Sequence, residues 1–224
     1  MKTFVKFSLL SLALVCALIH AATVPARAQR ARGKTAGTAA DKPAPPPQSA
    51  ARPVADTLAP AGWTRYEIGQ PTRFSLILPA APTASAERMT LTSKITVTVR
   101  NYMSLGASGL YGATYIDDLP QELMNNAMKQ TFFEYFVKGF AEGFQEGMKK
   151  GGSAGQMKML EQRAATTGGL SGYEQDFTFD AMTGRLRLVY DGARAYGVLS
   201  ISNDPAGDAD RATFFDSLRV NRGR

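Results

Sequence analysis

Alternating apolar and polar residues mark β-strands along residues 61–224. In KITVTVRNY (94–102), Ile95, Val97 and Val99 alternate with polar residues, which is the two-residue period of a sheet with one wetter face. TRYEIG, RFSLILP, GLYGATYID, MKMLEQRAAT and GYEQDFTFD predict further strands. RLRLVYDGARAYGVLSIS predicts a hairpin that turns at Asp191-Gly192, a strong two-residue turn signal.

Two segments have the features of helices. The first begins at Asp118, a suitable N-cap before Pro120, and runs to Lys150. The second covers about residues 207–218 and places its phenylalanines on one side. The order of elements is strands, a helix, more strands and a second helix, without regular alternation of strand and helix. This order predicts an α+β fold on a largely antiparallel sheet.

The long helix carries three glycines at four-residue spacing, each followed by an apolar residue. Each glycine costs about 0.5–1 kcal/mol relative to alanine in a helix interior, so we expect close approach of another backbone to offset this cost. Charged residues occupy the opposite side, which makes the helix amphipathic. The candidate partner-binding or close-packing face consists of Phe136, Gly139, Phe140, Gly143, Phe144 and Gly147.

The length of this helix leaves two arrangements open. About 32 residues would make a rod of about 48 Å, whereas strands of six to eight residues span about 20–27 Å. Either the helix breaks near Gly139 and both halves pack in the domain, or its second half overhangs the sheet. An overhanging face at 132–150 would bind a protein partner or a second copy of the chain.

Residues 1–28 predict a cleaved secretory signal peptide. Two lysines precede an uncharged apolar run at 7–19, and Ala26-Arg27-Ala28 offers small residues for cleavage. The run is shorter than the roughly 20 residues that a membrane-spanning helix needs. The sequence therefore predicts a periplasmic or secreted protein, with retention of this segment as an anchor as the alternative.

Residues 29–60 predict a disordered linker, because Ala, Pro and basic residues dominate and KPAPPPQ favours polyproline II. The folded part is then a single domain at 61–224. The basic residues of the linker leave weak contact with an anionic membrane surface as an alternative to a solvated spacer. Glutamates and lysines along the long helix exclude a membrane span there.

Cleavage of the signal peptide removes Cys16 and His20, which are the one cysteine and the one histidine of the chain. The remaining sequence excludes disulfides, thiol nucleophiles, imidazole bases and metal sites built on Cys or His. We expect no cofactor and no metal.

The basic charge of the chain belongs to its N-terminal part. Of 26 Lys and Arg against 19 Asp and Glu, residues 1–60 hold 8 and 2, which leaves 18 and 17 for the rest. A nucleic-acid-binding domain would keep a basic face of its own. We therefore expect no nucleic-acid partner.

Four groups of polar or aromatic residues are candidate sites, and each is interpreted as structural. Asp204, Asp208 and Asp210 resemble part of a calcium loop, but the ligand alternation and the terminal glutamate are missing. Arg185 and Arg187 alternate with leucines, as in a strand with one solvated face, with anion binding as the alternative. Paired carboxylates for glycoside hydrolysis would come from Asp117, Glu174, Asp176 or Asp180. A ligand groove would use Tyr102, Tyr111, Tyr115, Tyr173, Tyr190 and Tyr196.

The segments RFSLILPAAPT, YDGARAYGVLSIS and ATFFDSLRV resemble the PsbP-like and DcrB-like extracytoplasmic domains in content and order. This resemblance implies an α/β/α sandwich across 61–224. It also implies a binding or assembly factor without a shared catalytic motif. The sequence thus predicts a non-catalytic secreted or envelope-associated binding module for another protein, with a carboxylate-dependent extracytoplasmic hydrolase as the alternative.

Overall fold

The computed structural model describes residues 51–69, 73–92, 95–123, 125–153, 155–203 and 207–221. The predicted signal peptide at 1–28 and most of the predicted linker lie outside these residues. The helices are α1 (Asn126–Lys150) and α2 (Gly207–Asp216). A 3₁₀ turn at Gln121–Leu123 precedes α1. The strands are β1 (Arg52–Val54), β2 (Thr64–Ile68), β3 (Phe74–Leu78), β4 (Thr83–Thr92), β5 (Ile95–Gly106), β6 (Gly109–Ile116), β7 (Met157–Thr167), β8 (Leu170–Phe179), β9 (Met182–Asp191), β10 (Arg194–Ser202) and β11 (Arg219–Val220).

The strands form two antiparallel sheets. The larger sheet has seven strands in the order β4-β5-β6-β10-β9-β8-β7, and the smaller has four in the order β1-β2-β3-β11. The predicted hairpin is present, with Gly192 at a φ of 55° in the turn and Asp191 paired with Arg194. The α+β class on a largely antiparallel sheet is therefore confirmed. The second, four-stranded sheet was not predicted.

Both faces of the seven-stranded sheet are covered. On one face α1 lies over β8 and β9, where the rings of Phe140 and Phe177 are 5.4 Å apart. On the other face the four-stranded sheet and α2 pack together, and Phe74 lies 5.7 Å from Tyr196. The layers are thus a helix, a sheet, and a mixed layer of sheet and helix.

Helix α1 starts at a different residue from the one predicted. Its N-cap is Asn125, whose side chain accepts a hydrogen bond of 2.9 Å from the Met128 amide. Asp118 instead has a φ of 55°, and the next amide, that of Leu119, donates to the Ala193 carbonyl at 2.8 Å. The predicted start at Asp118 is wrong, because this segment is fixed on the β9–β10 turn before the helix begins.

Helix α1 is continuous, so the predicted break near Gly139 is wrong. Its 25 residues span about 38 Å. The ten residues of β8 span about 34 Å, longer than the strands assumed from the sequence. Because the strands are long enough to support the whole helix, the overhang is absent as well.

The predicted Phe and Gly face belongs to the core of the chain. All six of its residues are buried, and Phe144 packs 5.1 Å from Phe179 on β8. Docking of a partner on this face is therefore corrected to close packing within the chain. Tyr135, on the outer side of α1, is 55% exposed.

A glycine in the sheet allows this close packing. Gly184 on β9 pairs with Phe177 on β8, and a Cβ at 184 would lie 2.1 Å from the Phe177 ring. The ring therefore lies across the glycine and meets Phe140 of the helix. A larger residue at 184 would displace this ring from the core.

Ordered structure begins earlier than the predicted boundary at residue 61. Strand β1 pairs with β2, and Asp56 forms an ion pair with Arg65 in which both side chains are almost fully buried. Arg65 also donates to the Ser217 carbonyl at 2.8 Å, near the end of α2. Residues 51–60 thus belong to the folded unit, which corrects the linker boundary.

We predict that Gly143→Ala lowers the free energy of unfolding by about 1 kcal/mol, because an added methyl group in a packed core costs more than the helix propensity gained. Urea unfolding measures this change. Glu142→Ala, on the exposed side of the same turn, is the matched control and should change stability by less than about 0.5 kcal/mol. A more stable Gly143→Ala protein would contradict close packing at this glycine.

We predict that a chain beginning at residue 61 melts several degrees lower than one beginning at residue 51. The shorter chain lacks β1 and the Asp56 carboxylate, so the buried Arg65 guanidinium loses its charge partner. Circular dichroism melts of the two chains, which differ by ten residues, give the comparison. Equal melting temperatures would show that residues 51–60 contribute nothing to the fold.

Candidate functional site

Charged residues of β7, β8 and β9 form an ionic layer on the face of the sheet that α2 covers. Three carboxylates, Glu161, Glu174 and Asp176, face three guanidinium groups. The guanidinium groups belong to Arg163, Arg185 and Arg187. Antiparallel register places these side chains together, because Glu174 lies opposite Arg163 on one side and Arg187 on the other.

Glu174 is the most buried carboxylate of the ionic layer. It accepts hydrogen bonds from Arg187 Nε at 2.8 Å and contacts Arg163 on the other side. Arg187 also donates to Thr167 Oγ1 at 2.7 Å, and its guanidinium lies 4.9 Å from the Phe215 ring of α2. The prediction of a solvated strand face is therefore wrong for Arg187, which α2 covers, whereas Arg185 remains partly exposed.

Asp176 is the second shared carboxylate of the ionic layer. Arg185 Nε donates to it at 2.6 Å and Arg163 Nη1 at 2.8 Å. Burial alone would raise the pKa of Asp176, but the hydrogen bonds from Arg185 and Arg163 outweigh burial and hold the pKa below its ordinary value. Asp176 is therefore ionised at neutral pH.

A cleft of about 320 Å³ opens beside the ionic layer, where a β-bulge in the edge strand β7 lies near α2. Leu160, at the bulge, is 48% exposed. Arg211 of α2 is held on the opposite wall by hydrogen bonds of 3.1 Å to Ser200 and 2.8 Å to Thr183. The lining includes Leu160, Asp176, Thr183, Arg185, Arg211 and Ala212.

A second polar cluster lies at the end of β5, β6 and β10. Register aligns Arg100 with Tyr115 and Tyr115 with Tyr196, and the two tyrosine rings are 5.3 Å apart. Tyr115 donates to Asp117, which also forms ion pairs of 3.7 Å with Arg100 and 3.6 Å with Arg194. Among the described residues this carboxylate therefore has one hydroxyl and two guanidinium partners.

The tyrosine hydroxyls of this cluster are protonated at neutral pH. Burial raises the pKa of Tyr115, and the hydrogen bond to Asp117 raises it further. Burial also raises the pKa of Tyr196, and the nearby Arg194 opposes the rise without cancelling it. Both hydroxyls are therefore able to donate a hydrogen bond.

The six tyrosines considered for a ligand groove are divided between the two faces of the sheet. Tyr173 and Tyr190 belong to the core under α1, and the Tyr190 hydroxyl donates to the Lys129 carbonyl at 2.9 Å. The other four belong to the core under α2 and the smaller sheet. They form no common groove.

Of the four carboxylates considered for hydrolysis, only two are brought together, and both contact Arg163. Glu174 and Asp176 share the ionic layer, whereas Asp117 belongs to the tyrosine cluster. Asp180 lies in the β8–β9 turn with a φ of 52°. The pairing of these carboxylates with arginines was not predicted from the sequence, although the two-residue spacing of charges on three neighbouring strands was a usable signal.

The suspected calcium loop lies partly outside the described residues. Asp204 and the side chain of Asp208 are not described, and Asp210 accepts a hydrogen bond of 2.8 Å from Ser108. Asp210 therefore has a structural partner in the β5–β6 turn. Within the described part of the chain, no helix is long and apolar enough to cross a membrane.

Neither a protein-family model nor a curated protein matches the chain. Among solved structures, the chain is similar to the solution structure of cyanobacterial PsbP (CyanoP) from Synechocystis sp. PCC 6803. The similarity covers 75% of this chain and 98% of that chain, with 10% sequence identity and a TM-score of 0.47.

We predict that Asp176 stabilises the protein at neutral pH and loses this effect in acid. Its pKa is lower in the folded than in the unfolded chain, so the contribution is complete above the unfolded value of about 4 and is lost as the pH falls through the folded value. Melts of wild type and Asp176→Asn from pH 7 downward should therefore converge in acid.

The exposed Asp216→Asn variant is the control and should follow wild type throughout. A difference between wild type and Asp176→Asn that stays constant over the whole pH range would contradict the assigned pKa shift.

Proposed function

We propose that this chain is a non-catalytic extracytoplasmic binding module that acts through a protein partner. One observation supports the non-catalytic part above others: the carboxylates best placed for chemistry are shared between arginines in the ionic layer. Each of these carboxylates forms ion pairs with arginines of neighbouring strands. No pair of carboxyl groups in that layer is therefore left to act as general acid and general base.

The hydrolase alternative requires a different electrostatic arrangement. A glycoside hydrolase needs one carboxylic acid whose pKa is raised so that it donates a proton at neutral pH. Asp176 has its pKa lowered, and its neighbour Glu174 is held by Arg163 and Arg187. The ionic layer therefore favours stability over acid catalysis.

The extracytoplasmic part of the proposal rests on the N-terminal sequence. The charged start, the apolar run and the small residues before Gln29 have the features of an export signal. A fold that needs neither disulfide nor Cys or His metal site is compatible with such a compartment, because its cores are made of aromatic and aliphatic packing.

The partner surface is assigned to the cleft between the β7 bulge and α2. Its walls carry Arg185 and Arg211 against one carboxylate, Asp176, and its rim carries the exposed Leu160. This combination of a net positive charge with an apolar rim is complementary to an acidic segment that also presents an apolar side chain. The outer side of α1 offers Tyr135 among charges of both signs instead.

We expect a photoreactive amino acid at position 160 to crosslink the exported protein to a discrete partner. The same group at position 135, equally exposed but on the other face, should give no such product. Ala212→Glu adds a negative charge to the cleft and should abolish the product, because it repels an acidic segment.

Two results would overturn the proposal. One is a crosslinking pattern that is the same at 160 and 135 and is unaffected by Ala212→Glu. The other is turnover of a glycoside or ester that is lost in Asp176→Asn while the variant remains folded.

A further inference from the structure

The tyrosine cluster at the end of β5, β6 and β10 contains buried donors without partners. Tyr196 is 1% exposed; Arg194 approaches its hydroxyl oxygen as a donor, whereas the hydroxyl hydrogen has no acceptor within the described ranges. Arg100 Nη1 is buried and likewise makes no hydrogen bond there. Buried polar groups are almost always hydrogen-bonded, so two orphan donors in one cluster need an explanation.

Both orphan donors lie around Asp117. The nearest guanidinium nitrogens of Arg100 and Arg194 are 3.7 Å and 3.6 Å from its oxygens, which is ion-pair distance but longer than a hydrogen bond. Tyr115 takes the short contact to Asp117, so the hydroxyl hydrogen of Tyr196 beside it has no acceptor among the described residues. The donors thus remain able to bind a further acceptor.

Solvent reaches this cluster from its charged side. The side chains of Arg100 and Arg194 are 31% and 36% exposed, and that of Asp117 is 25% exposed. The tyrosine rings form the apolar floor, where Phe74 packs against Tyr115 and Tyr196. The cluster is therefore an open rim of guanidinium groups above a buried hydroxyl.

The charge of the cluster selects the ligand. Arg100 and Arg194 against Asp117 leave one net positive charge. Beyond these three groups, the positive charge of Arg73 acts on Tyr115 and the negative charge of Asp191 acts on Tyr196. One positive charge with two guanidinium donors and one neutral hydroxyl donor matches a singly charged carboxylate better than a doubly charged phosphate.

We propose that Arg100, Arg194 and Tyr196 form a binding site for a carboxylate group, with the two guanidinium groups and the hydroxyl as donors. The carboxylate comes either from a small organic acid or from the C-terminus of a peptide. This site lies on other strands than the cleft assigned to the protein partner, so its test is independent of that proposal.

The test is isothermal titration of acetate into the purified chain at constant ionic strength. We expect one-to-one binding that weakens at least about tenfold in Arg194→Gln and in Tyr196→Phe, since each loses a charge-assisted or buried hydrogen bond to the ligand. Tyr190→Phe and Arg88→Gln are the matched controls, because Tyr190 lies under α1 and Arg88 is exposed on β4. Both controls should bind acetate as wild type does.

A second series separates the two sources of the carboxylate. N-acetylglycylglycine that binds more tightly than acetate, while its C-terminal amide does not bind, indicates a peptide terminus. Equal binding of the peptide and acetate indicates a small acid. Both results support the site.

Three results would overturn the proposal. They are absence of acetate binding to wild type, equal weakening by Arg88→Gln, and phosphate binding that is as tight as acetate binding through the same residues. If Tyr196→Phe does not fold, the partly exposed Arg194→Gln variant carries the test alone.

Discussion

The shared ion pair at Glu174 is the interaction on which the arrangement of the domain depends most. This carboxylate is buried in the middle of β8, and it is neutralised by Arg163 from β7 and Arg187 from β9. Loss of either arginine would leave a buried charge without a full partner, which costs about 3–5 kcal/mol in comparable pairs. The register of three strands is therefore fixed by one carboxylate. Phe215 rests on the Arg187 guanidinium, so the position of α2 depends on the same pair.

On the same face of the seven-stranded sheet, the part that lies under the smaller sheet is packed through apolar and aromatic side chains. Under the smaller sheet, Phe74 contacts the rings of Tyr102, Tyr115 and Tyr196. Rings pack well there, but a phenol brings a hydroxyl that must find a partner at the edge of the core. The Tyr115 hydroxyl donates to Asp117, whereas the Tyr196 hydroxyl has no acceptor for its hydrogen among the described residues. A buried hydroxyl that has its acceptor stabilises the fold, while one without an acceptor is the basis of the proposed carboxylate site.

The sequence predicted the features that depend on neighbouring residues. The period of two identified β5 and β8, and the Gly192 turn identified the β9–β10 hairpin. It misplaced the start of α1, because Asp118 and Asn125 have equal capping chemistry and only the contact of Leu119 with the β9–β10 turn decides between them. It missed the ionic layer for a related reason. A strand that alternates charge and leucine has the same pattern whether its charged face meets water or α2, and α2 lies about twenty residues further along the chain.

The two faces of the large sheet therefore differ in the side chains that fill them. Under α1 the phenylalanines meet ring to ring, and Gly184 removes the one side chain that would keep Phe177 away from the helix. Helix α1 fills this face, so the side chains of this core are buried. Under α2 the sheet carries fixed guanidinium groups whose rigid geometry comes from the strands that hold them, which is the condition for selective recognition of an anion. The ionic layer stabilises this face, and the two proposed binding sites lie on either side of it, one beside Arg211 of α2 and the other at Arg194 of β10.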